Sequence, residues 1–214
     1  MTTLIFVRHG QSVANLDRVF AGHTDTPLTA LGHQQAENTA RFLKDYPIEA
    51  IYSSDLSRAM ETAAPTARMH GIPIRPDAQM REIFSGEWEG RLYEDLMREY
   101  SESYTLWRED CGHAHPEGGE SVLELSERIY AETDRIVRAH RGSCVAVFSH
   151  ATPIRLLCAR WQGVSVAELY RVPFVPNASV SVVDVADDGS VTVRLLGYDA
   201  HQGELSTSLV KGIV

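Results

Sequence analysis

The sequence predicts an α/β fold, a three-layer sandwich in which helices cover both faces of a mostly parallel central sheet. Two observations support this prediction. Short apolar or β-branched runs alternate with segments of helical periodicity, which is typical of parallel βαβ units. Near its end the chain changes character, because an Asp-Gly turn at 188–189 joins two strand-like runs. Such a turn predicts a β-hairpin, so one strand is expected to be antiparallel.

The strand-like runs and the helical segments follow one another along the chain. Thr29 is a predicted N-cap of a helix that reaches about Lys44, and Asp55 precedes a predicted helix that reaches about Met69. The predicted strands lie at residues 3–7, 48–52, 143–148, 179–185 and 191–196, with a weaker run near 72–75.

Two further helices follow from their capping signals. Ser121 and Glu124 form an S-x-x-E capping box that opens a long amphipathic helix, and Gly142 is its predicted stop. Thr152 and Pro153 have the residue types of an N-cap and a first helical position, so a helix is predicted to start there.

Residues 86–119 interrupt the alternation. They are rich in Glu, Gly and aromatic residues, and we interpret them as a cap of short helices inserted into a single domain that spans residues 1–214. Four aromatic residues of the cap either form a platform for the substrate or pack internally: Tyr93, Tyr100, Tyr104 and Trp107. The last ten or so residues are expected to form a mobile tail.

Charge and composition limit the function classes. A formal net charge of −9 argues against a general nucleic-acid binder, which needs a basic face, although a local pocket can still bind a small anion. Cys111, Cys144 and Cys158 form no C-x-x-C pattern, so neither disulfides nor a zinc site are expected. Without a signal-like start or a long apolar run, a cytoplasmic protein without membrane contact is expected. A homodimer through the edge of the hairpin is a further expectation.

Polar residues follow three of the strand-like runs. Arg8 and His9 end the first run, the second leads into Arg58, and the third ends at Ser149 and His150. Ligands of open α/β sheets bind beyond the carboxyl ends of the strands. If these strands are parallel neighbours, two histidines and two arginines meet in one crevice.

The positions of these residues favour an anion. Arg58 lies in the first turn of a predicted helix, where the dipole disfavours a cation unless an anion binds there. Arg155 has a similar position without other ligand signals, so we assign it a structural role. Neighbouring arginines lower the pKa of His9 and keep it neutral and nucleophilic. Gly10 permits close backbone approach, and Ser12 and Asn15 offer hydrogen bonds to an oxyanion.

A metal site is disfavoured by the same residues. His113 and His115 form an H-x-H pair in a loop, with no carboxylate that links them to His9 and His150. Arginines around the site would repel a dication. No cofactor is therefore expected.

A leaving alkoxide needs a proton donor. The stretch from Met80 to Gly90 supplies three candidates, Glu82, Glu87 and Glu89, and their spacing does not distinguish among them.

An ordered set of motifs over most of the chain resembles the histidine phosphatase superfamily, which includes the cofactor-dependent phosphoglycerate mutases. The motifs are Arg8-His9-Gly10-Gln-Ser-Val-Ala-Asn15, Gly22-His-Thr-Asp25-Thr-Pro27-Leu28-Thr29, Ser53-Ser54-Asp-Leu56-Ser-Arg58-Ala59, Arg81-Glu82-Ile-Phe-Ser-Gly86-Glu-Trp88-Glu-Gly90, Pro116-Glu-Gly118-Gly119-Glu120-Ser121 and Phe148-Ser149-His150.

The resemblance implies a role for each site residue. His9 is the nucleophile that becomes phosphohistidine, and Glu82 is the proton donor. Arg8, Arg58 and a protonated His150 bind the phosphoryl oxygens. The remaining phosphate-binding positions are Gln11, Asn15, the backbone near Gly22, and Ala151. Of these, Gln11 stands where a glutamate is frequent in the family and Ala151 where a glycine is frequent.

The loop around Glu82 favours hydrolysis over mutase chemistry. Mutases of this family resemble one another in having Glu-Arg-His-Tyr-Gly there and a paired arginine in the cap. This chain has Glu82-Ile-Phe-Ser-Gly and isolated Arg91, Arg98 and Arg108. The sequence therefore predicts a metal-independent phosphatase of a small phosphorylated metabolite. A phosphoglycerate mutase and a phosphate-binding pseudoenzyme are the alternatives.

Overall fold

A computed structural model describes residues 1–207 and shows one six-stranded sheet in the order β3-β2-β4-β1-β5-β6. The strands are β1 (Thr2–Arg8), β2 (Ile48–Ser53), β3 (Ile74–Pro76), β4 (Cys144–Ser149), β5 (Val180–Val185) and β6 (Val191–Tyr198). β3, β2, β4 and β1 are parallel, and β5 runs antiparallel to both β1 and β6. The predicted fold class, including its one reversed strand, is confirmed.

Seven α-helices connect the strands in the described part of the chain: α1 (Val13–Asp17), α2 (Ala30–Leu43), α3 (Ser57–His70), α4 (Tyr93–Glu99), α5 (Ser101–Glu109), α6 (Val122–Ala139) and α7 (Ala151–Trp161). Short 3-10 turns lie at Ala78–Met80, Gly86–Trp88, Cys111–His113, Val166–Arg171 and Ala200–Leu205. No helix among residues 1–207 combines the length and the apolar character needed to cross a membrane.

The two faces of the sheet bury alternate residues of the same strands. Leu4 and Phe6 of β1 pack against one helical layer that includes α6 and α7, whereas Ile5 and Val7 pack against the layer that includes α2 and α3. A strand that is apolar on both sides must lie between two layers. This arrangement fixes the end of β1, which carries Arg8 and His9, at a rigid edge of the sheet.

Residues 86–119 contain the short helices α4 and α5, and the separation of this segment as a cap remains an interpretation. Its aromatic residues Trp88, Tyr104 and Trp107 are buried in the same apolar cluster as α6 and α7. For these three side chains, internal packing is therefore their first role.

The capping signals of two helices are confirmed. The Thr29 hydroxyl accepts from the backbone N–H of Gly32 at 3.1 Å, and the Ser121–Glu124 capping box opens α6. α6 ends at Ala139, and Gly142 adopts a left-handed φ of 83° in the turn that follows.

The predicted start of the last helix is wrong by two residues. α7 begins at Ala151, with His150 as an extended N-cap, and Thr152 and Pro153 lie inside its first turn. β4 ends at Ser149, so the chain passes from strand to helix through one residue. Proline is tolerated in this turn because its missing N–H would have no partner within the helix. The consequence is that His150 lies at the junction itself.

Two expectations about the ends of the fold stay open. β6 is an edge strand with mostly exposed side chains, and a homodimer through this edge remains a prediction. The expected mobile tail falls largely on residues 208–214, which lie outside the described residues.

Candidate active site

A cavity of about 160 Å³ opens at the carboxyl ends of β1 and β4. The predicted site residues that line it are Arg8, His9, Gln11, Asn15, Arg58, Glu82 and Ala151. His150 is fully buried beside the cavity, with its ring centroid 5.2 Å from that of His9. Gly22 contributes indirectly, because its carbonyl accepts a hydrogen bond from Arg58 while Ala21 lines the wall. The topology thus brings the predicted residues into one place.

The His9 side chain is held in one tautomer. Its Nδ1 lies 2.7 Å from the carbonyl oxygen of Gly10. A carbonyl only accepts, so Nδ1 carries the proton and the neutral ring has its lone pair on Nε2. Burial lowers the pKa of His9 well below its ordinary value, and the charges of Arg58 and Arg8 lower it further. His9 is therefore a neutral imidazole with a nucleophilic Nε2.

Two buried guanidiniums lie next to His9, and neither has an acidic partner at hydrogen-bond distance among residues 1–207. Arg8 donates to the carbonyl of Val175 at 2.6 Å, and its Nε has no partner among the described residues. Arg58 donates to three carbonyls, those of Ala21, Gly22 and Thr24. Burial lowers the pKa of Arg8 to about 10, which still leaves it charged at neutral pH. Buried cations that bond only to carbonyls are arranged to receive an anion.

His150 is neutral in this structure, and its protonation with a phosphoryl group bound stays a prediction. Burial lowers its pKa well below the ordinary value, with Arg58, His9 and Arg8 acting in the same direction. Its Nε2 lies 2.8 Å from the Ser54 hydroxyl, and its buried Nδ1 has no partner among the described residues. When Ser54 donates to Nε2, the proton of the neutral ring lies on Nδ1.

Asn15 presents its amide nitrogen to the cavity because its oxygen is already engaged. Its Oδ1 accepts from the backbone N–H of Ser12 at 3.2 Å and from Nδ2 of Asn177 at 3.1 Å. Asn177 is buried and also donates to the carbonyl of His9 at 3.2 Å. Asn177 therefore connects the backbone of His9 to the side-chain amide of Asn15.

The three candidate acids have different surroundings. Glu82 lines the cavity and is nearly buried, and its two oxygens accept from the backbone N–H groups of Ile83 and Thr152. Glu89 accepts from the backbone of His23, Thr24 and Ser85, so it ties two loops together. The Glu87 carboxylate accepts from Tyr100 on the protein surface. Of the three, Glu82 is the one positioned to reach a ligand.

The histidines that we considered as metal ligands do not join the site. His113 pairs with Asp110, and His115 lies within hydrogen-bond distance of the carbonyl of Gly119. Residues 1–207 contain no group of three or more His, Cys, Asp or Glu arranged to hold a metal ion. Arg155 bonds the carbonyls of Val172 and Leu169, in agreement with its assigned structural role.

Several lining residues were not identified from the sequence: Val19, Phe20, Ala21, Thr152, Phe174, Asn177 and Thr207. Most of them come from loops whose approach depends on tertiary structure. The sequence offers one clue to Asn177, because this residue lies just before the hairpin strand that pairs with β1. In the structure, the backbone N–H of the next residue, Ala178, donates to the carbonyl of His9.

Residues 4–197 match the profile of the histidine phosphatase superfamily (branch 1). The chain belongs to this superfamily. The solved structure of YhfR from Bacillus stearothermophilus superposes with a TM-score of 0.90 at 29% identity, over 94% of this chain and 99% of that one. The predicted family is confirmed.

Two curated relatives are named as phosphatases. The adenosylcobalamin/alpha-ribazole phosphatase of Escherichia coli (strain K12) is 32% identical over 92% of this chain and 96% of its own length. Phosphoserine phosphatase 1 of Hydrogenobacter thermophilus is 30% identical over 100% of both chains. These relatives support a phosphatase activity for this histidine phosphatase superfamily member.

Proposed function

We propose that this protein is a phosphomonoesterase that hydrolyses a small phosphorylated metabolite through a phosphohistidine on His9. One observation carries the proposal: a neutral imidazole with its lone pair on Nε2 lies beside two buried guanidiniums that bond only to carbonyls. The guanidiniums match the charge of a phosphoryl group, and Nε2 supplies the nucleophile. The named activities of the relatives support the same class of substrate.

In the first step, Nε2 of His9 attacks phosphorus and the bond from phosphorus to the ester oxygen breaks. Arg8 and Arg58 stabilise the charge that spreads over the three equatorial oxygens, together with the amide of Asn15 and the Nδ1–H of His150. Glu82 donates its proton to the leaving oxygen, which departs as an alcohol. His9 remains phosphorylated at Nε2, and Glu82 remains a carboxylate.

In the second step, a water molecule attacks the phosphorylated His9. The Glu82 carboxylate accepts a proton from this water, and the bond between phosphorus and Nε2 breaks. Inorganic phosphate leaves, and both His9 and Glu82 return to their starting protonation states. Two transfers replace one very slow hydrolysis, because each step has the smaller barrier of an activated nucleophile.

The test is hydrolysis of p-nitrophenyl phosphate by the purified chain with and without EDTA. We expect phosphate release that EDTA leaves unchanged, because the positive charge comes from arginines. His9→Ala is expected to lose at least roughly 10³-fold in kcat/KM. His33→Ala, on the exposed face of α2, is the matched control. EDTA-sensitive turnover, or full activity in His9→Ala, contradicts the proposal, and isomerisation of phosphoglycerate without phosphate release would identify a mutase.

A further inference from the structure

We infer that the preferred substrate is a phosphate monoester whose leaving alcohol is uncharged and presents an aromatic or apolar face. This inference rests on the proposed phosphatase function and adds the class of leaving group. It follows from how polar and apolar residues divide between the two ends of the cavity.

The polar end of the cavity is built from the strand ends and the residues that follow them. Arg8, His9, Asn15 and Arg58 lie there, and this end takes the phosphoryl group. A second group of lining residues, the apolar end, comes from the loop after α1, the helices α4 and α5, and the segment before β5. Its residues are Val19, Phe20, Tyr93, Trp107 and Phe174. The charges of Arg8 and Arg58 act on the Tyr93 hydroxyl, so Tyr93 lies where the two groups meet. A phosphate held against the arginines therefore directs its ester group toward aromatic side chains.

One side of the apolar end is rigid before a ligand binds. Phe20 packs edge-to-face on Trp107 at 5.3 Å and on Tyr93 at 6.0 Å between ring centroids. Behind them, Trp88 contacts Phe20 at 5.5 Å and Trp107 at 6.1 Å, again with the rings edge-to-face. Interlocked rings lose little conformational entropy on binding, and edge-to-face contacts are favourable for a further ring.

The other side of the apolar end is Phe174. The guanidinium carbon of Arg155 lies 4.1 Å from the Phe174 ring centroid and holds the ring in place. Arg155 is buried and directs its donors to the carbonyls of Leu169 and Val172. Its charge therefore supports the phenyl ring from behind and is not directed into the cavity.

The charges of the cavity explain which leaving groups are disfavoured. Among the described lining residues, the charged side chains are Arg8, Arg58 and Glu82, and all three act on the phosphoryl group or its leaving oxygen. A second anionic group on the substrate would have to enter the aromatic end, where its desolvation is uncompensated. A carboxylate or a second phosphate on the alcohol therefore weakens binding.

The experiment compares three esters of primary alcohols, namely phenethyl phosphate, glycerol phosphate and phosphoglycolate. We expect kcat/KM to be at least about tenfold higher for phenethyl phosphate than for glycerol phosphate, and lowest for phosphoglycolate. A preference for phosphoglycolate, or equal values for all three, overturns the inference. Absence of turnover for every ester, with no phosphohistidine, would instead refute the proposed function.

Two variants of one residue locate the effect. Phe174→Ala is expected to lower kcat/KM for phenethyl phosphate by roughly 5- to 10-fold and to lower that for glycerol phosphate by a smaller factor. Phe174→Lys is expected to reverse the order by favouring phosphoglycolate. Tyr170→Ala removes an aromatic side chain that is 59% exposed and outside the cavity, and it is the matched control. Equal losses for all substrates in Phe174→Ala, or an unchanged order in Phe174→Lys, contradict the assignment.

Discussion

At His9, a single hydrogen bond determines which ring nitrogen keeps the lone pair that the proposed mechanism requires. The carbonyl of Gly10 accepts a hydrogen bond from Nδ1–H, with 2.7 Å between nitrogen and oxygen, and burial together with the neighbouring arginines keeps the ring neutral. The same two arginines make the pocket receptive to phosphate. In the proposed mechanism, the activation of His9 and the binding of phosphate therefore share one electrostatic cause.

Burial of neutral His9 predicts a pH-dependent stability. The pKa of His9 is lowered by burial and then by the arginines, so the unfolded chain binds its proton more readily than the folded one. The contribution of neutral His9 to the free energy of unfolding is fully present above about pH 6.5 and is lost as the pH falls below that value. When the pH falls from about 7 to about 5.5, we expect the free energy of unfolding to fall by about 1 kcal/mol less in His9→Gln than in the parent protein. Urea denaturation in phosphate-free buffer measures both changes. Equal losses in both proteins contradict a neutral buried His9.

The amide pair Asn15 and Asn177 gives a second prediction at this scale. If Asn177 acts by orienting Asn15, Asn15→Ala and Asn177→Ala should each lower kcat/KM by roughly tenfold, and the double variant should be little worse than either. The coupling free energy is then about 1 kcal/mol. Asn38→Ala, on α2, is the control, since the Asn38 side chain bonds the exposed Arg41. If the free-energy losses of the two single variants add in the double variant, Asn177 acts independently of Asn15.

At the scale of elements, α2 holds the loop after β1 through a contact between two glycines. A Cβ on Gly10 would lie 2.6 Å from the carbonyl oxygen of Gly32, and a Cβ on Gly32 would lie 2.1 Å from that of Gln11. Gln35, one turn further along α2, accepts from the backbone N–H of Gln11 at 2.8 Å. The helix thereby sets the position of the residues that follow His9.

This packing predicts the sign of a substitution. Helix propensity alone favours alanine over glycine by up to about 1 kcal/mol, so Gly32→Ala would be stabilising on a free helix. Here we expect it to destabilise the protein by about 1–3 kcal/mol and to lower kcat/KM, because the Cβ displaces the loop after His9. Urea denaturation measures the change, with Gln34→Ala on the exposed face of α2 as the control. A stabilised Gly32→Ala variant would contradict the close contact.

For the whole molecule, the site residues at the strand ends could be predicted from the sequence, whereas those on loops could not. Arg8, His9, Arg58 and His150 could be grouped because the carboxyl ends of parallel strands meet at one edge. Phe174 could not be placed at the cavity, because its loop has no local signal for its position. The start of α7 was misplaced because Thr-Pro is a good local cap, whereas the β4 strand end set the boundary.

The charges and carboxylates of the site show the same contrast between local sequence and tertiary structure. A net charge of −9 gave no indication of a phosphate site, since two buried arginines act locally whatever the global charge. The acid could be chosen only by family resemblance, and the structure then showed Glu82 at the cavity and Glu89 engaged by two loops. Burial and hydrogen-bond partners, which sequence spacing does not contain, separate these carboxylates.

The most direct test of the covalent mechanism is to trap the intermediate and identify the nitrogen that carries phosphorus. The enzyme is mixed with p-nitrophenyl phosphate, quenched rapidly in base, and analysed by peptide mass spectrometry and phosphorus NMR. We expect one phosphoryl group on His9 at Nε2, because Nδ1 is bonded to the Gly10 carbonyl. Phosphorylation at Nδ1 or on another residue, or turnover without any phosphohistidine, would contradict the mechanism.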